Sequence, residues 1–184
     1  MDDHVPAGTH KKWDDLEPKY DLSTWRIRVE NLSKWLTPKD TSILDLGAGE
    51  MYLRELIPDT VLYYPIDYKH RDSSTIVCDF NKRQFPAHHA DVAFISGVLE
   101  YVEDADWFFS MLENQVKKIL LTYVFCNSAK DLPYRQGKAW VNHYRIDEII
   151  HLAGKNGFVL VQYLYNHASK SARFNFVKDI YFSS

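Results

Sequence analysis

The stretch Ile43-Leu44-Asp45-Leu46-Gly47-Ala48-Gly49-Glu50 decides the fold. Three apolar residues flank one acid, two glycines follow one residue apart, and the chain then turns polar. A short apolar run bounded by glycine reads as a buried strand. Glycine accepts the positive φ of a sharp turn and lets a ligand press against bare backbone. A strand ending in such a turn belongs at the C-terminal edge of a parallel sheet, where nucleotide-like ligands bind.

Outward from this stretch, strands and helices alternate. Before it, a helix fits from Ser23, with Trp25, Val29, Leu32 and Leu36 at i, i+4, i+7 and i+11, and Pro38 ends it. After it come a strand over 42–46 and a short helix over 50–57 that Pro58 stops. Apolar runs at 61–66 and 75–78 lead into Asp67 and Asp79, and a further strand covers 92–96. Asp104 caps a helix carrying Trp107, Phe108, Met111, Leu112 and Val116, and the next strand spans 119–125. A loop holding Pro133, Gly137, Trp140 and His143 precedes a helix with Ile146, Ile149, Ile150 and Ala153, which Gly157 closes. Residues 158–165 and 173–182 read as two strands joined by a short polar loop, and a pair so joined is antiparallel. The expectation is a three-layer α/β/α Rossmann-like sandwich with right-handed crossovers, its seven-stranded sheet mostly parallel with an antiparallel last strand. Residues 1–37 form an N-terminal flap and helix, with Trp13 and Tyr20 placed to close over a ligand, and 38–184 form the ligand-binding domain of a single-domain protein.

Bulk properties narrow the class. A chain of 184 residues, 46% of them hydrophobic, can bury one sizeable core. A net charge of −3 argues against nucleic-acid binding through a basic surface, so no nucleic-acid partner is expected. Cys78 and Cys126 lie in no CxxC pair, which leaves neither a disulfide framework nor a thiolate zinc site. His88 and His89 are adjacent and point apart on an extended chain, so no metal is expected. The polar start Met1-Asp2-Asp3-His4 is unlike a signal peptide and no apolar run is long enough to span a bilayer, so a cytoplasmic location is expected.

Asp45, Asp67 and Asp79 end consecutive strands, and in a parallel sheet such tips line one crevice. Asp45 would repel a pyrophosphate but suits a ligand that carries positive charge. That preference favours S-adenosylmethionine (SAM), with its ammonium and sulfonium, over NAD. Asp67 lies one strand–helix–strand unit beyond Gly47, where an acid can bind both ribose hydroxyls. Asp79 is placed to accept from an adenine amino group, Phe80 to offer its backbone N–H, and Tyr68 an aromatic face.

These segments resemble the class I SAM-dependent methyltransferases of compact, small-molecule type, over roughly residues 38–182. Asp45-Leu46-Gly47-Ala48-Gly49 is similar to the family's glycine-rich first motif, Ile66-Asp67-Tyr68 to the acidic second and Cys78-Asp79-Phe80 to the third. Residues 91–102, which include Ser96, Glu100 and Tyr101, resemble the fourth, which the family places beside cofactor and substrate. The resemblance implies that Asp45, Gly47, Gly49, Asp67, Tyr68, Asp79, Phe80 and Ser96 hold SAM. In two places the chain departs from many relatives: Met51 stands where a third glycine is common, and Tyr101 where a histidine is common.

Methyl transfer from a sulfonium is an in-line displacement, so the protein mainly positions the nucleophile and excludes water. A hydroxyl acceptor also needs a base. His143 is the first candidate, because imidazole titrates near neutrality, with Tyr101 and Glu100 beside it. Tyr123, Asn127, Tyr134 and Arg135 are the candidate acceptor-binding residues. The expected function is methyl transfer from SAM to a small molecule, at oxygen. The alternatives are a non-catalytic module that keeps the fold, and a dinucleotide-dependent oxidoreductase, which lacks its third glycine here.

Overall fold

The structure, a computed structural model, describes residues 22–179, the Leu22 side chain excepted. The expected flap, with Trp13 and Tyr20, lies outside these residues, as does the end of the expected last strand. The chain runs α1 (Leu22–Ser33), β1 (Ser42–Leu46), β2 (Leu62–Asp67), β3 (Ile76–Val77) and β4 (Ala90–Ser96). It continues through α2 (Ala105–Glu113), β5 (Val116–Val124), α3 (Leu132–Gly137), α4 (Ile146–Lys155), β6 (Phe158–Asn166) and β7 (Ser171–Lys178).

The strands form one seven-stranded sheet in the order β3-β2-β1-β4-β5-β7-β6. β7 runs antiparallel to both of its neighbours, and all other pairings are parallel, as the terminal hairpin required. Side chains alternate across β1: Ile43 joins a core with Leu32, Val92, Phe94 and Leu120 under α1, whereas Leu44 and Leu46 face the opposite layer. There Phe108, Phe109 and Leu112 of α2 and Ile149, Leu152 and Ala153 of α4 pack on the sheet. Near this apolar layer Lys118 pairs with Asp40, 2.5 Å apart and nearly buried, and also donates to the Trp35 carbonyl. Among the described residues no helix is long and apolar enough to cross a membrane.

Register places the site. Leu46 pairs with Ile66 and Asp67 with Val77, so the tips of β1, β2 and β3 end level with one another. Backbone N–H groups of Gly47 and Ala48 donate to the Ile66 carbonyl at 2.7 and 2.8 Å, which ties the turn to β2.

Two elements differ from the sequence expectation. The helix expected over 50–57 is a single 3-10 turn, Tyr52–Glu55. Gly47, Gly49 and Met51 all have positive φ, so the chain leaves the turn in left-handed conformation with few residues left before Pro58. Conversely, α3 occupies the expected loop, because Pro133 sits in its first turn, where a missing N–H costs nothing.

Candidate functional site

A cavity of about 860 Å³ runs along the C-terminal tips of β1, β2, β3 and β4, past the turn after β4, to α3 and the β6–β7 turn. Its first part is built on the glycines. Gly47 has φ +81°, and a Cβ there would collide with the Val98 side chain. Gly49, at φ +52°, donates its N–H to Asp67 Oδ2 at 2.9 Å.

Asp45 is buried and accepts from the Tyr63 hydroxyl at 2.6 Å. Burial pushes its carboxyl up to about 7; the Tyr63 bond opposes this, and the nearby Asp67 charge adds to it. The Asp67 carboxylate also takes the Lys69 N–H at 3.2 Å and faces Arg71 Nε at 3.3 Å. Asp79 caps the turn Phe80–Lys82, accepting from the Asn81 N–H at 3.1 Å, and pairs with Lys82 Nζ at 3.2 Å. Phe80 lines the cavity while its ring packs on Phe108 at 5.0 Å. Tyr68 and Ser96 also line the cavity, so every expected cofactor residue borders the same space.

Arg28 is a site residue that sequence reasoning missed. Its Nε donates to Ser96 Oγ at 3.1 Å and its Nη2 to the Ser96 carbonyl at 3.2 Å. The guanidinium lies over Gly97, where any Cβ would meet it. The one available signal was an arginine three residues after Trp25, on the same face of the first helix.

Glu100 borders the cavity and is 2% exposed. Its Oε1 accepts from the Val124 N–H at 2.9 Å, and its Oε2 has no hydrogen-bond partner among the described residues. Burial raises this carboxyl above the ordinary range, against the backbone bonds and the charges of Arg28 and Arg135. Tyr101 borders the same space.

Beyond Glu100 the wall is made by Tyr134, Arg135, Lys138 and Trp140. Arg135 is 1% exposed and donates to the Val124 carbonyl at 2.6 Å, the Asn142 carbonyl at 2.8 Å, the Tyr123 hydroxyl at 3.0 Å and His143 Nδ1 at 3.0 Å. Tyr123 is fully buried behind it, donating to Asn142 Oδ1 at 2.6 Å and accepting the Tyr144 N–H at 3.0 Å. Asn142, also unforeseen, donates to the Leu99 and Val102 carbonyls and so holds the turn that carries Glu100. Three expected residues therefore lie off the cavity wall. Tyr123 is interior scaffold, Asn127 is exposed with its N–H on Asp131, and His143 spends its Nδ1 lone pair on Arg135. Of the three candidate bases, Glu100 and Tyr101 border the cavity and His143 does not. Among the described residues no cluster of His, Cys, Asp and Glu is placed to hold a metal ion, and His88 packs on the Tyr64 ring.

No family model matches the chain, and no curated protein matches its sequence. Solved structures do. One is a magnesium protoporphyrin IX methyltransferase from Synechocystis PCC 6803 with bound S-adenosylhomocysteine (SAH). It is 14% identical over 94% of this chain and 95% of that one, at a TM-score of 0.66. A second is the Burkholderia thailandensis 1,6-didemethyltoxoflavin-N1-methyltransferase, solved with its substrate and SAH. It is 13% identical over 97% and 93% of the two chains, with a TM-score of 0.67. A third is the pyocyanin biosynthetic protein PhzM, 11% identical at a TM-score of 0.65; the match covers 85% of this chain but only 56% of PhzM. At such low identity the likeness is one of architecture. In strand order, strand direction and the place of its glycine turn, the chain has the fold of the class I SAM-dependent methyltransferases.

Proposed function

We propose that this chain is a SAM-dependent methyltransferase acting on a small cytoplasmic molecule, with oxygen as the atom methylated. One observation carries the reading: the carboxylates of Asp45, Asp67 and Asp79 surround a positive-φ glycine turn on the wall of a cavity that continues past a buried glutamate. The donor set fits SAM chemically. Carboxylates suit its ammonium and sulfonium, the Asp67 oxygens suit a ribose diol, and the Arg28 guanidinium suits a methionine carboxylate. The volume lies near the upper end for ligand pockets, enough for cofactor and acceptor together.

When bound, SAM supplies an electrophilic methyl group on a positively charged sulfur. The chain's own residues do the rest. The glycine turn and the acids hold the donor in one orientation, and α3 and the turn after β4 wall the second compartment, the part of the cavity beyond Glu100. Glu100 Oε2, raised by burial and free of any partner among the described residues, takes the proton of an acceptor hydroxyl as its oxygen attacks. With SAM held there, transfer in this one displacement would give the methyl ether and SAH, and the acceptor's proton would rest on Glu100.

Pyrophosphate binding by a dinucleotide is less well served. It relies on a helix N-terminus after the glycines, and here only a 3-10 turn follows. The non-catalytic alternative draws on one feature, the Arg71 guanidinium beside Asp67, which already occupies a ribose-binding acid. Calorimetric titration with SAM, with NAD as control, tests the cofactor. Incubation with methyl-labelled SAM and fractionated extract then tests transfer. SAM bound without any labelled product would favour the non-catalytic reading, and NAD bound in its place would overturn both.

A further inference from the structure

The cavity is electrically divided. Around the glycine turn the four carboxylates of Asp45, Glu50, Asp67 and Asp79 outnumber the two guanidiniums of Arg28 and Arg71, whereas around α3 and the β6–β7 turn Lys130, Arg135, Lys138 and Lys170 face Asp131. Asp131 is committed to Lys170 at 2.6 Å. Lys130 makes no ion pair with any described residue, and Lys138 stands 5.7 Å from the Tyr134 ring centre. Arg135 is the sharpest case. Its guanidinium is buried, yet all four of its acceptors are neutral: two carbonyls, a phenol and an imidazole. One of its five N–H groups, on Nη1, has no acceptor among the described residues. The Glu100 carboxyl lies within reach of this charge but accepts no bond from Arg135, so among the described residues the compartment holds more positive than negative charge, an excess that an anionic ligand would offset. The surrounding wall is aromatic: Arg135 lies 4.8 Å from the Trp140 ring centre, and Trp140 meets Tyr134 edge-on at 5.9 Å.

We propose that the second compartment receives its methyl acceptor as a flat anionic molecule, an aromatic ring bearing a carboxylate or phosphate, with the charge toward Arg135 and Lys130 and the ring against Trp140. This deepens the methyltransferase reading and rests on it for the word acceptor, but the binding itself can be measured without turnover. A cationic cofactor and an anionic acceptor would then be sorted to opposite ends of one cavity by its field, which also brings the acceptor's hydroxyl past Glu100.

The probe is 8-anilinonaphthalene-1-sulfonate, compared with N-phenyl-1-naphthylamine, the same ring system without the sulfonate. Dye fluorescence is titrated with full-length protein saturated with SAH, after SAM binding has been measured separately by calorimetry. The sulfonate dye is expected to bind at least about tenfold more tightly than the neutral one, and to weaken as salt is raised. The double variant Lys130→Gln/Lys138→Gln, checked for folding by circular dichroism, should erase most of that difference and leave the neutral dye unaffected. Displacement of the dye by benzoate or by phenyl phosphate supports the proposal and tells which anion is preferred. Equal affinity for the two dyes, no effect of the lysine substitutions, or displacement by benzylamine overturns it. Protein that binds SAM but ignores the sulfonate loses only this proposal. Protein that binds the sulfonate through its lysines but not SAM loses the methyltransferase reading instead.

Discussion

At the scale of single residues, three carboxyls do different work. Asp67 accepts two backbone N–H bonds and faces Arg71, and in the proposed function it is the acid that meets the ribose. Asp67→Ala should weaken SAM by about 1.5–3 kcal/mol through lost hydrogen bonds to a charged group, read by calorimetry on the folded variant. Asp45 has the opposite character. Its folded carboxyl titrates at about 7, against 3.8 for an ordinary aspartate, so the folded state holds a proton that the unfolded state has lost. Stability at this site therefore falls as pH rises from about 4 to about 7. A cation seated beside it favours the ionised form, so SAM affinity should rise through about pH 7 and level off above, with proton release seen when titrations in two buffers are compared. Asp45→Asn should flatten both profiles. In the proposed mechanism Glu100 is the base, and Glu100→Gln should then lower kcat by roughly 10²–10⁴-fold while SAM affinity holds, as single-turnover and binding measurements would show.

Elements explain why these residues meet. The glycine turn is stitched to β2 by two N–H bonds, and Gly47 leaves no room for a side chain beside Val98. Gly47→Ala combines that collision with a positive φ, and should cost about 1–3 kcal/mol in denaturant unfolding and lower SAM affinity along with it. The alternation of apolar and turn residues made seven strands, α1, α2 and α4 readable, because each buries one face at its own period. The 3-10 turn after Gly49 escaped that reading, since a period-based helix over 50–57 ignores the left-handed exit that Met51 adopts. α3 escaped for a related reason: proline was weighed as a breaker, while its effect depends on whether it falls in a first turn.

At the scale of the whole molecule, ligand binding and folding are one equilibrium. SAM at about 100 times its Kd should stabilise the fold by about 2.7 kcal/mol. For a chain of this size that amounts to a melting shift of about 5–11 °C in a calorimetric scan, with NAD giving none. The charge division of the cavity also belongs at this scale, because its acidic end comes from the tips of β1, β2 and β3 and its basic end from α3 and the β6–β7 turn.

By itself the sequence determined the sheet, its parallel order with one reversed strand, and the three acids at its edge. All of these follow from local periodicity and from a turn that only glycine permits. Tertiary structure alone decided which polar groups face the cavity. His143 and Tyr123 were turned inward to serve Arg135, while Arg28 was brought in from α1 and Glu100 was left with an oxygen unmet among the described residues. The physical reason is that burial and hydrogen-bond partnership arise between segments far apart in the chain, and no local pattern records them.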